Sequence, residues 1–487
     1  MNYSHIPDSN KQMSIRTRFA PSPTGYIHIG NLRAALFPWL LARQCGGTFV
    51  LRLEDTDQAR YVEGATELII DTLKWVGVDW DEGIIKGGDY GPYIQSERTD
   101  HYLKWAQELI DKGLAYADPY TVEEVDKFRE QSKLAKKAFL YRDYRPETPP
   151  VWDGSQPLRF KVPVIKRYSW HDEIMGDLSA GPEALDDFIL IKSDGMPTYN
   201  FAHIVDDTEM KITHVLRGLE YIPSIPKYLS LYEALEIKPP IMACMPHIMA
   251  PDGKKKLGKR DGAKSAQEYR KDGILPETML NFLASMGWND GTEQEIFSSD
   301  ELIAKFSLNR VQRSGARFDE QRLLWMNGQW IRKLSLDNLY VRCADFWPES
   351  AKNTDEFTKK LVLKLVQDRL KTLADLSILT SYFFAEPTPS LQMITDNKQL
   401  SKLSNDELIN LLETSKNALT GSQFDAESIQ NTLNSLLEIT GQKPGILFSL
   451  IRVAVSWAPF SPALNDTLAT IGHDKTIARL QIAINLL

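Results

Sequence analysis

The stretch from Arg16 to Asp57 constrains the fold of this chain more than any other segment. Thr17 to Ala20 is short and rich in β-forming residues, and a Pro-x-Pro-x-Gly pattern then breaks the strand. Apolar residues next recur at helical spacing, with Asn31 as the predicted N-cap and Gly46-Gly47 as the predicted stop. Thr48 to Leu53 returns as an apolar strand. The pattern predicts a β-α-β unit with a phosphate-sized site at the start of its helix.

The residues at this helix start suit an anionic ligand. Gly30 lets a ligand approach the backbone, and the unpaired N–H groups and the helix dipole favour phosphate. His28 lies two residues earlier, where an imidazole can contact a phosphate oxygen. Taken alone, a His-Ile-Gly triplet more often marks an ordinary loop histidine, because short motifs often occur by chance.

Four further segments accompany this triplet, so the motif does not stand alone. In chain order the five read Ala-Pro-Ser-Pro-Thr-Gly-Tyr-Ile-His-Ile-Gly-Asn (20–31), Arg-Leu-Glu-Asp-Thr-Asp (52–57), Pro-Thr-Tyr-Asn-Phe-Ala (197–202), Val-Leu-Arg-Gly (215–218) and Asp-Gly-Lys-Lys-Lys-Leu-Gly-Lys-Arg (252–260). Together they resemble glutamyl-tRNA synthetases of the bacterial type, a class I aminoacyl-tRNA synthetase family, in order and in spacing. The first and last resemble its two signatures. The resemblance is strong from Arg16 to Arg332 and weaker beyond.

The resemblance implies a glutamate–tRNA ligase. Such an enzyme activates L-glutamate with ATP to glutamyl-adenylate and transfers it to the 3′ end of tRNA(Glu), with Mg²⁺ entering bound to ATP. Catalysis of the first step is mainly positioning and charge stabilisation. The match assigns catalysis to His28, at the α-phosphate, and to Lys259, on the pyrophosphate side. Gly258 departs from the serine that the family usually has in this loop, so that position carries no side-chain role.

The same match assigns residues to two substrate sites. Arginine suits carboxylates because its fork binds them bidentately, and an arginine without its counter-charge disfavours glutamine. The implied glutamate site consists of Arg18, Ser22, Glu54, Tyr199, His203 and Arg217. The implied ATP site consists of Ala20, His28, Gly30, Asn31, Glu220, Tyr221, Ile248, Lys256 and Lys259.

The fold class is predicted to be α/β, with a class I Rossmann-type nucleotide-binding domain split by an insertion that binds the tRNA acceptor end, followed by all-α anticodon-binding domains. Because the two signatures lie far apart in the sequence, the two halves must meet in space. Within the second half, Ala202 to Val205 is predicted to be β-prone. The predicted segments are a flexible extension (1–14), the first Rossmann half (15–93), the insertion (94–185), the second half (186–250), a stem-contact domain with the lysine loop (251–332) and the helical anticodon-binding region (333–487).

A basic and aromatic cluster in the insertion has two readings. Lysines, arginines and tyrosines between positions 133 and 145 are compatible with a solvated surface, and equally with contact to an RNA end by phosphate neutralisation and base stacking. Some relatives build a zinc knot in this insertion from cysteines. The matching segment here, Ala115 to Tyr120, contains no cysteine, so structural zinc is not expected.

Composition limits the class of protein further. The chain has 487 residues, 43% apolar and 25% charged, with a net charge of −8, so a sequence-blind basic nucleic-acid coat is excluded. The three cysteines are far apart, which disfavours a disulfide framework. No segment is apolar and long enough for a membrane span. A cytoplasmic monomer is expected.

Two rival functions remain at this stage. A short paralogue that glutamylates a modified tRNA base lacks an anticodon domain, whereas this chain continues for some 155 residues after Arg332. A catalytically dead tRNA-binding protein on the same scaffold is disfavoured because His28, Lys259, Arg18 and Arg217 are all present. Whether tRNA(Gln) is also charged depends on how the C-terminal helices read the anticodon.

Overall fold

The computed structural model describes residues 14–258, 261–262, 264–458 and 460–487. Its strands are β1 (Arg16–Phe19), β2 (Thr48–Leu51), β3 (Glu82–Gly83), β4 (Ala115–Ala117), β5 (Leu158–Phe160), β6 (Tyr168–Asp172), β7 (Gly176–Ala180), β8 (Phe188–Ile191), β9 (His214–Gly218), β10 (Ile241–Met245), β11 (Ile248–Met249) and β12 (Ala316–Arg317).

The α-helices are α1 (Ile29–Gln44), α2 (Ala65–Val76), α3 (Thr99–Asp111), α4 (Val122–Leu134), α5 (Tyr199–Glu209), α6 (Ile225–Ala234), α7 (Ala266–Lys271), α8 (Pro276–Ser285), α9 (Ser299–Lys305), α10 (Glu320–Lys333), α11 (Leu336–Arg342), α12 (Glu356–Val366), α13 (Asp375–Phe384), α14 (Gln392–Thr395), α15 (Asn405–Thr420), α16 (Ala426–Thr440), α17 (Pro444–Ser456), α18 (Leu464–Ile471) and α19 (His473–Leu486). The chain divides into two compact units, one of residues 14–268 and 279–319 and the other of 269–278 and 320–487.

The first unit contains the predicted β-α-β unit. Strands β1, β2 and β3 pair in parallel in that order, and α1 connects β1 to β2. Three of the four residues in each of β1 and β2 are buried, which is typical of inner parallel strands. The helix begins at Ile29 with His28 as its N-cap, so the predicted N-cap at Asn31 is wrong by three residues. The predicted end is confirmed, because α1 stops at Gln44 just before the two glycines.

The second half of the nucleotide fold follows the insertion. Strands β9 and β10 pair in parallel, and the β6–β7 hairpin adds to the free edge of β10, which gives the order β7-β6-β10-β9. The two halves meet at Arg16, whose carbonyl accepts from the Thr213 N–H at 2.9 Å and whose N–H donates to Thr213 Oγ1 at 2.8 Å. This contact confirms the predicted meeting of the halves.

The insertion contributes two strands and two helices to a small sheet. Its β4 and β5 form an antiparallel sheet with β8, which follows the predicted end of the insertion, and α3 and α4 accompany them. Helix α4 starts with a complete capping box, since Thr121 Oγ1 accepts from the Glu124 N–H while the Glu124 carboxylate accepts from the Thr121 N–H. The capping box predicted from the sequence is thereby confirmed.

Helix α5 corrects the sequence-based expectation for its segment. Ala202 to Val205 was expected to be β-prone but lies in a helix of eleven residues. Residues 201–207 are all buried, so the helix has no polar face and its apolar run carries no helical period. Burial on every side has overridden the β propensity of Ile204 and Val205.

The second unit is helical in its described elements, from α10 to α19. One apolar cluster joins residues 275–379, among them Leu275, Ile331, Leu339 and Leu363. A second cluster extends from Tyr382 to the last helix. No helix among the described residues has the length and apolar character needed to cross a bilayer.

Candidate active site

The start of α1 is an open anion-binding position. The first intrahelical bond runs from the Leu32 N–H to the His28 carbonyl at 3.0 Å, so the three preceding N–H groups have no partner within the helix. No acidic side chain lies in the first turn. Gly30 and Asn31 are exposed, and a Cβ on Gly30 would meet no atom within 4 Å. Backbone donors and the helix dipole together favour a phosphate here.

The lysine loop reaches the same place. His28 forms an isolated β-bridge with Ser265, directly after the loop, and the Ala266 N–H donates to the Ile27 carbonyl at 3.1 Å. The loop folds back on β11, where the Leu257 N–H donates to the Ile248 carbonyl at 2.8 Å. The two family signatures, more than two hundred residues apart, therefore lie side by side. Lys259, which the sequence predicts to be catalytic, lies outside the described residues.

A carboxylate and two basic side chains gather beside this loop. Lys256 Nζ lies 3.1 Å from Glu220 Oε1, and His247 Nδ1 lies 3.6 Å from Glu220 Oε2. Burial, followed by the nearby Lys256 ammonium, lowers the pKa of His247. Of the remaining predicted ATP residues, Ile248 is buried on β11, and Ala20 is half-buried at the end of β1. Sequence reasoning missed His247, whose one signal was its position next to Ile248.

The predicted glutamate residues surround a buried network of charges. Arg18 Nε lies 3.0 Å from Asp207 Oδ1, and Arg52 Nη1 lies 2.8 Å from the same oxygen. Arg52 Nη2 also donates to Glu54 Oε1 at 2.9 Å. One carboxylate from α5 thus holds two arginines, Arg18 on β1 and Arg52 directly after the end of the neighbouring strand β2.

Burial and charge act in opposite directions on these carboxylates. Burial by itself raises the pKa of Asp207, but the guanidinium groups of Arg18 and Arg52 outweigh it and hold that pKa well below its ordinary range. At Glu54 burial prevails over the attraction of Arg52 and raises the pKa. The two arginines therefore favour the ionised form of Asp207.

Asp206 organises a second part of the network. Its carboxylate accepts from Arg98 Nε at 2.7 Å, from Gln95 Nε2 at 2.8 Å and from Tyr102 Oη at 3.0 Å, and Arg52 Nε lies 3.6 Å away. Both aspartates, Arg52 and Arg98 were absent from the sequence-based site. Their signal was a charge inside an apolar run, as in Leu-Arg-Leu (51–53) and Ile-Val-Asp-Asp (204–207).

Arg217 differs from the other site arginines because no carboxylate of the described residues forms an ion pair with it. Its guanidinium carbon lies 5.1 Å from the ring centre of Tyr221 and 5.6 Å from that of Tyr228. Its Nε is buried and has no hydrogen-bond partner among those residues. Tyr199 stacks on His203 with ring centres 4.8 Å apart. Burial, followed by the charge of Arg217, lowers the pKa of His203 well below its ordinary value.

Ser22 is less clearly placed than the other predicted glutamate residues. Its side chain is exposed, in the loop that follows β1. That loop lies beside the pocket, because the Pro21 carbonyl accepts from the Glu54 N–H at 2.9 Å. The structure therefore brings five of the six predicted glutamate residues into one neighbourhood and sets Ser22 at its solvent side.

The basic and aromatic cluster of the insertion divides into structural and exposed members. Tyr141 is buried, and its hydroxyl donates to Asp118. Arg145 forms an ion pair with Asp187 at 2.6 Å, and Tyr144 stacks on Phe128 with ring centres 4.4 Å apart. These contacts favour the structural reading for these three side chains, and RNA contact by the cluster stays a prediction. The cluster members that remain exposed are Lys133, Lys136 and Lys137.

The described residues include no group of three or more His, Cys, Asp or Glu side chains arranged to hold a metal ion. The expectation that this chain binds no structural zinc stays a prediction. Oxygen ligands for a Mg²⁺ ion would come from the triphosphate of ATP, since Mg²⁺ in nucleotide sites is usually held largely by substrate phosphates and water.

Comparisons with known proteins agree with this geometry. Residues 14–325 match the family model of class I tRNA synthetases (E and Q), catalytic domain, and residues 333–484 match an anticodon-binding domain. The glutamate–tRNA ligase of Dehalococcoides mccartyi is 41% identical over 478 residues, covering 96% of this chain and 97% of the relative. That of Chloroflexus aurantiacus is 39% identical over 489 residues, covering 96% and 97%. The crystal structure of a glutamate tRNA ligase from Elizabethkingia meningosepticum, in complex with its amino acid, superposes with a TM-score of 0.87 at 34% identity, covering 97% of this chain and all of that one.

Proposed function

The chain belongs to the glutamate–tRNA ligases of the class I tRNA synthetase family, and from that premise we propose how its residues carry out the reaction. The enzyme joins glutamate to tRNA at the expense of ATP. Glutamate attacks the α-phosphate to give glutamyl-adenylate and pyrophosphate, and the terminal ribose hydroxyl of tRNA then takes the glutamyl group. The observation that carries the residue assignment is the lone cation of Arg217, in a pocket where the other arginines already have carboxylate partners.

In the amino-acid pocket, Arg217 binds the side-chain carboxylate of glutamate. Glutamine offers a neutral amide there, which leaves a desolvated guanidinium without a counter-charge. Arg18 is fixed by Asp207 through Nε and Nη2, while its Nη1 makes only a long contact of 3.4 Å with the Leu216 carbonyl and so has hydrogen-bonding capacity left for a substrate carboxylate. Glu54 takes the substrate ammonium, because its second oxygen is not used by Arg52. Tyr199, His203 and Ser22 complete the pocket.

In the nucleotide cleft, the start of α1 binds the phosphates through Gly30 and Asn31. His28 donates to the α-phosphate region as negative charge builds there, and Lys259 stabilises the departing pyrophosphate. When ATP binds, the ammonium group of Lys256 leaves its ion pair with Glu220 and binds a phosphate oxygen instead, because it is positively charged and on a flexible side chain. Adenine and ribose lie against Ala20, Glu220, Tyr221 and Ile248. Mg²⁺ enters on ATP.

We assign the chain segments to parts of the tRNA. Residues 94–185, between the two Rossmann halves (15–93 and 186–250), bind the acceptor end. After the second half, residues 251–332 contact the stem and residues 333–487 read the anticodon of tRNA(Glu). The short-paralogue alternative loses support because residues 333–484 match an anticodon-binding domain. A cytoplasmic monomer is the working assembly, in keeping with a role in translation.

The test is a charging assay with purified tRNA(Glu) and tRNA(Gln), labelled glutamate or glutamine, and ATP. Wild type should charge tRNA(Glu) with glutamate and reject glutamine. Arg217→Gln should lose at least a hundredfold in kcat/KM for glutamate, because a charge-to-charge contact disappears. Arg43→Gln, which removes an arginine at the end of α1 paired with Asp79 and Asp81, is the matched control and should charge normally. Undiminished charging by Arg217→Gln would refute the pocket assignment, and stoichiometric zinc in the purified protein would refute the assignment of the insertion.

A further inference from the structure

Four aromatic rings enclose Arg217 and touch one another in sequence. Tyr221 lies 5.5 Å from Tyr199, Tyr199 lies 4.8 Å from His203 at 17°, and His203 lies 4.6 Å from Tyr228 at 72°, all measured between ring centres. The guanidinium of Arg217 contacts the first and the last of them, Tyr221 and Tyr228. Each of these four rings and Arg217 contacts the next, and the last contact returns to the first. The four rings are called the aromatic enclosure below.

His203 contributes a ring without a charge. Its Nδ1 lies 2.7 Å from the Tyr199 carbonyl oxygen, which can only accept a hydrogen bond. Nδ1 therefore carries the hydrogen and donates it. The second nitrogen, Nε2, remains an acceptor, and its protonation would place a second cation beside Arg217. The low pKa of His203 agrees with this neutral form.

The enclosure stabilises Arg217 in a different way from a carboxylate. Ring faces attract a guanidinium through their quadrupole but leave its net charge unchanged. A carboxylate partner, as Asp207 is for Arg18 and Arg52, would cancel that charge. An arginine held by π faces is thus immobilised before substrate arrives, with its full charge available to a carboxylate that comes with the substrate.

We propose that Tyr228 and His203 are positioning residues that determine specificity, because they hold Arg217 without a counter-charge so that the side-chain carboxylate of glutamate supplies it. This inference rests on the proposed role of Arg217; it adds Tyr228 and gives His203, already assigned to the pocket, a role that acts through Arg217. Tyr228 is buried on α6, and its hydroxyl donates to Asn200 Oδ1 at 3.0 Å, which fixes the ring.

The first arm of the test removes one π face from the full-length enzyme. At saturating ATP and tRNA(Glu), Tyr228→Leu should raise KM for glutamate about tenfold, with kcat within about twofold of wild type. Tyr228→Phe keeps the ring and loses the hydroxyl, so its KM should stay near wild type. Leu231→Ala is the control, since Leu231 is also buried on α6 and carries neither a ring nor a charge. Its KM should not change even if its stability falls.

The second arm supplies the missing counter-charge from the protein. His203→Asp sets a carboxylate beside Arg217 and should lower the glutamate-to-glutamine ratio of kcat/KM by at least tenfold, whereas His203→Asn, which adds no charge, should lower it less. Calorimetric binding of glutamate to the folded variants gives a readout independent of turnover. An unchanged KM in Tyr228→Leu, or equal ratios in the two His203 variants, overturns the inference. If Arg217→Gln itself binds glutamate normally, the proposed pocket fails instead.

Discussion

At the scale of single residues, the site is built from side chains whose charge is fixed by what surrounds them. Asp207 is kept ionised by two guanidinium groups, and His203 is kept neutral by burial and by Arg217. His28 takes part through its position, as the N-cap of α1 in extended backbone beside the lysine loop. Each of these states depends on neighbours that are distant in the sequence, so each can be tested by changing one group.

The first residue-scale prediction concerns His28. His28→Ala should slow adenylate formation by about 10²–10³ with an unchanged fold, because it removes a donor that acts as charge develops on the phosphate. The measurement is ATP–pyrophosphate exchange in the presence of tRNA, alongside circular dichroism. His171→Ala, an exposed histidine of the β6–β7 hairpin paired with Asp177, serves as the control. Exchange at the wild-type rate in His28→Ala would show that the helix start is not the reaction site.

The second concerns pH. Burial and Arg217 lower the pKa of His203 below its unfolded value of about 6.5, so the unfolded chain binds the extra proton first as pH falls. The contribution of His203 to the free energy of unfolding is therefore fully present above about pH 7 and is lost below about pH 6.5. The free energy of unfolding should fall by roughly 1 kcal/mol between pH 7.5 and 5.5 from this residue. Urea midpoints at both pH values should separate less in His203→Gln than in wild type. Equal separations would mean that His203 titrates alike in the folded and unfolded chains.

At the scale of elements, the site depends on how β1, β2, β9 and α5 face one another. Arg18 lies on β1 and Arg52 directly after the parallel strand β2, Arg217 lies on β9, and Asp206 and Asp207 lie on α5. The second unit also contains a buried polar side chain that bonds to several segments, but this side chain is neutral. Asn327 of α10 is fully buried and bonds to Leu275, Thr278, Gly273 and Lys371.

This asparagine supports the element-scale prediction. Asn327→Ala should lower the free energy of unfolding of its unit by about 2–4 kcal/mol, because it strands several buried donors and acceptors at once. Thermal unfolding followed by calorimetry would show the drop in the transition of that unit. Asn434→Ala, on the exposed face of α16, should shift it by no more than about 0.5 kcal/mol. A change at Asn327 as small as that at Asn434 would contradict the role assigned to this bond network.

At the scale of the whole molecule, catalytic signatures and anticodon-domain helices lie in different parts of the chain. Residues 14–325 carry the family's catalytic model and 333–484 its anticodon domain. The compact units divide a little earlier, since α10 and residues 269–278 belong to the second unit, where Leu275 and Ile331 share a core. A truncation after Arg332 therefore keeps the catalytic signatures but exposes these two apolar side chains.

The whole-molecule prediction uses that truncation with Leu275→Gln and Ile331→Gln. It should bind ATP with near-normal affinity, because Ala20, His28 and Lys259 remain, and should lose most charging of tRNA(Glu), because contacts far from the acceptor end are gone. Calorimetry measures the first and acid-precipitable labelled glutamate the second. The unsubstituted full-length chain is the control. Near-normal charging by the truncated chain would revive the short-paralogue reading.

The amino-acid sequence by itself determined the features that rest on local interactions. The β-α-β unit, the capping box at Thr121 and the order of the five motifs follow from residues close together in the chain, and the motifs carry the family. The structure confirms each of these. The lysine loop around Gly258 and Lys259 shows the limit of inference from local sequence, because a motif gives the identity of a residue but not the position of its side chain.

Only the tertiary structure decided how the charges pair and which segment is helical. Arg18 and Asp207 are 189 residues apart, and no local pattern selects Asp207 over the other carboxylates of the chain. Helix α5 is buried on all its sides, so its sequence lacks the alternation of apolar and polar residues that would predict a helix. The same folding paired Tyr141 with Asp118 and Arg145 with Asp187, and it placed Tyr228 against Arg217. Long-range packing sets these contacts, because their energy exists only once the strands of the split fold have come together.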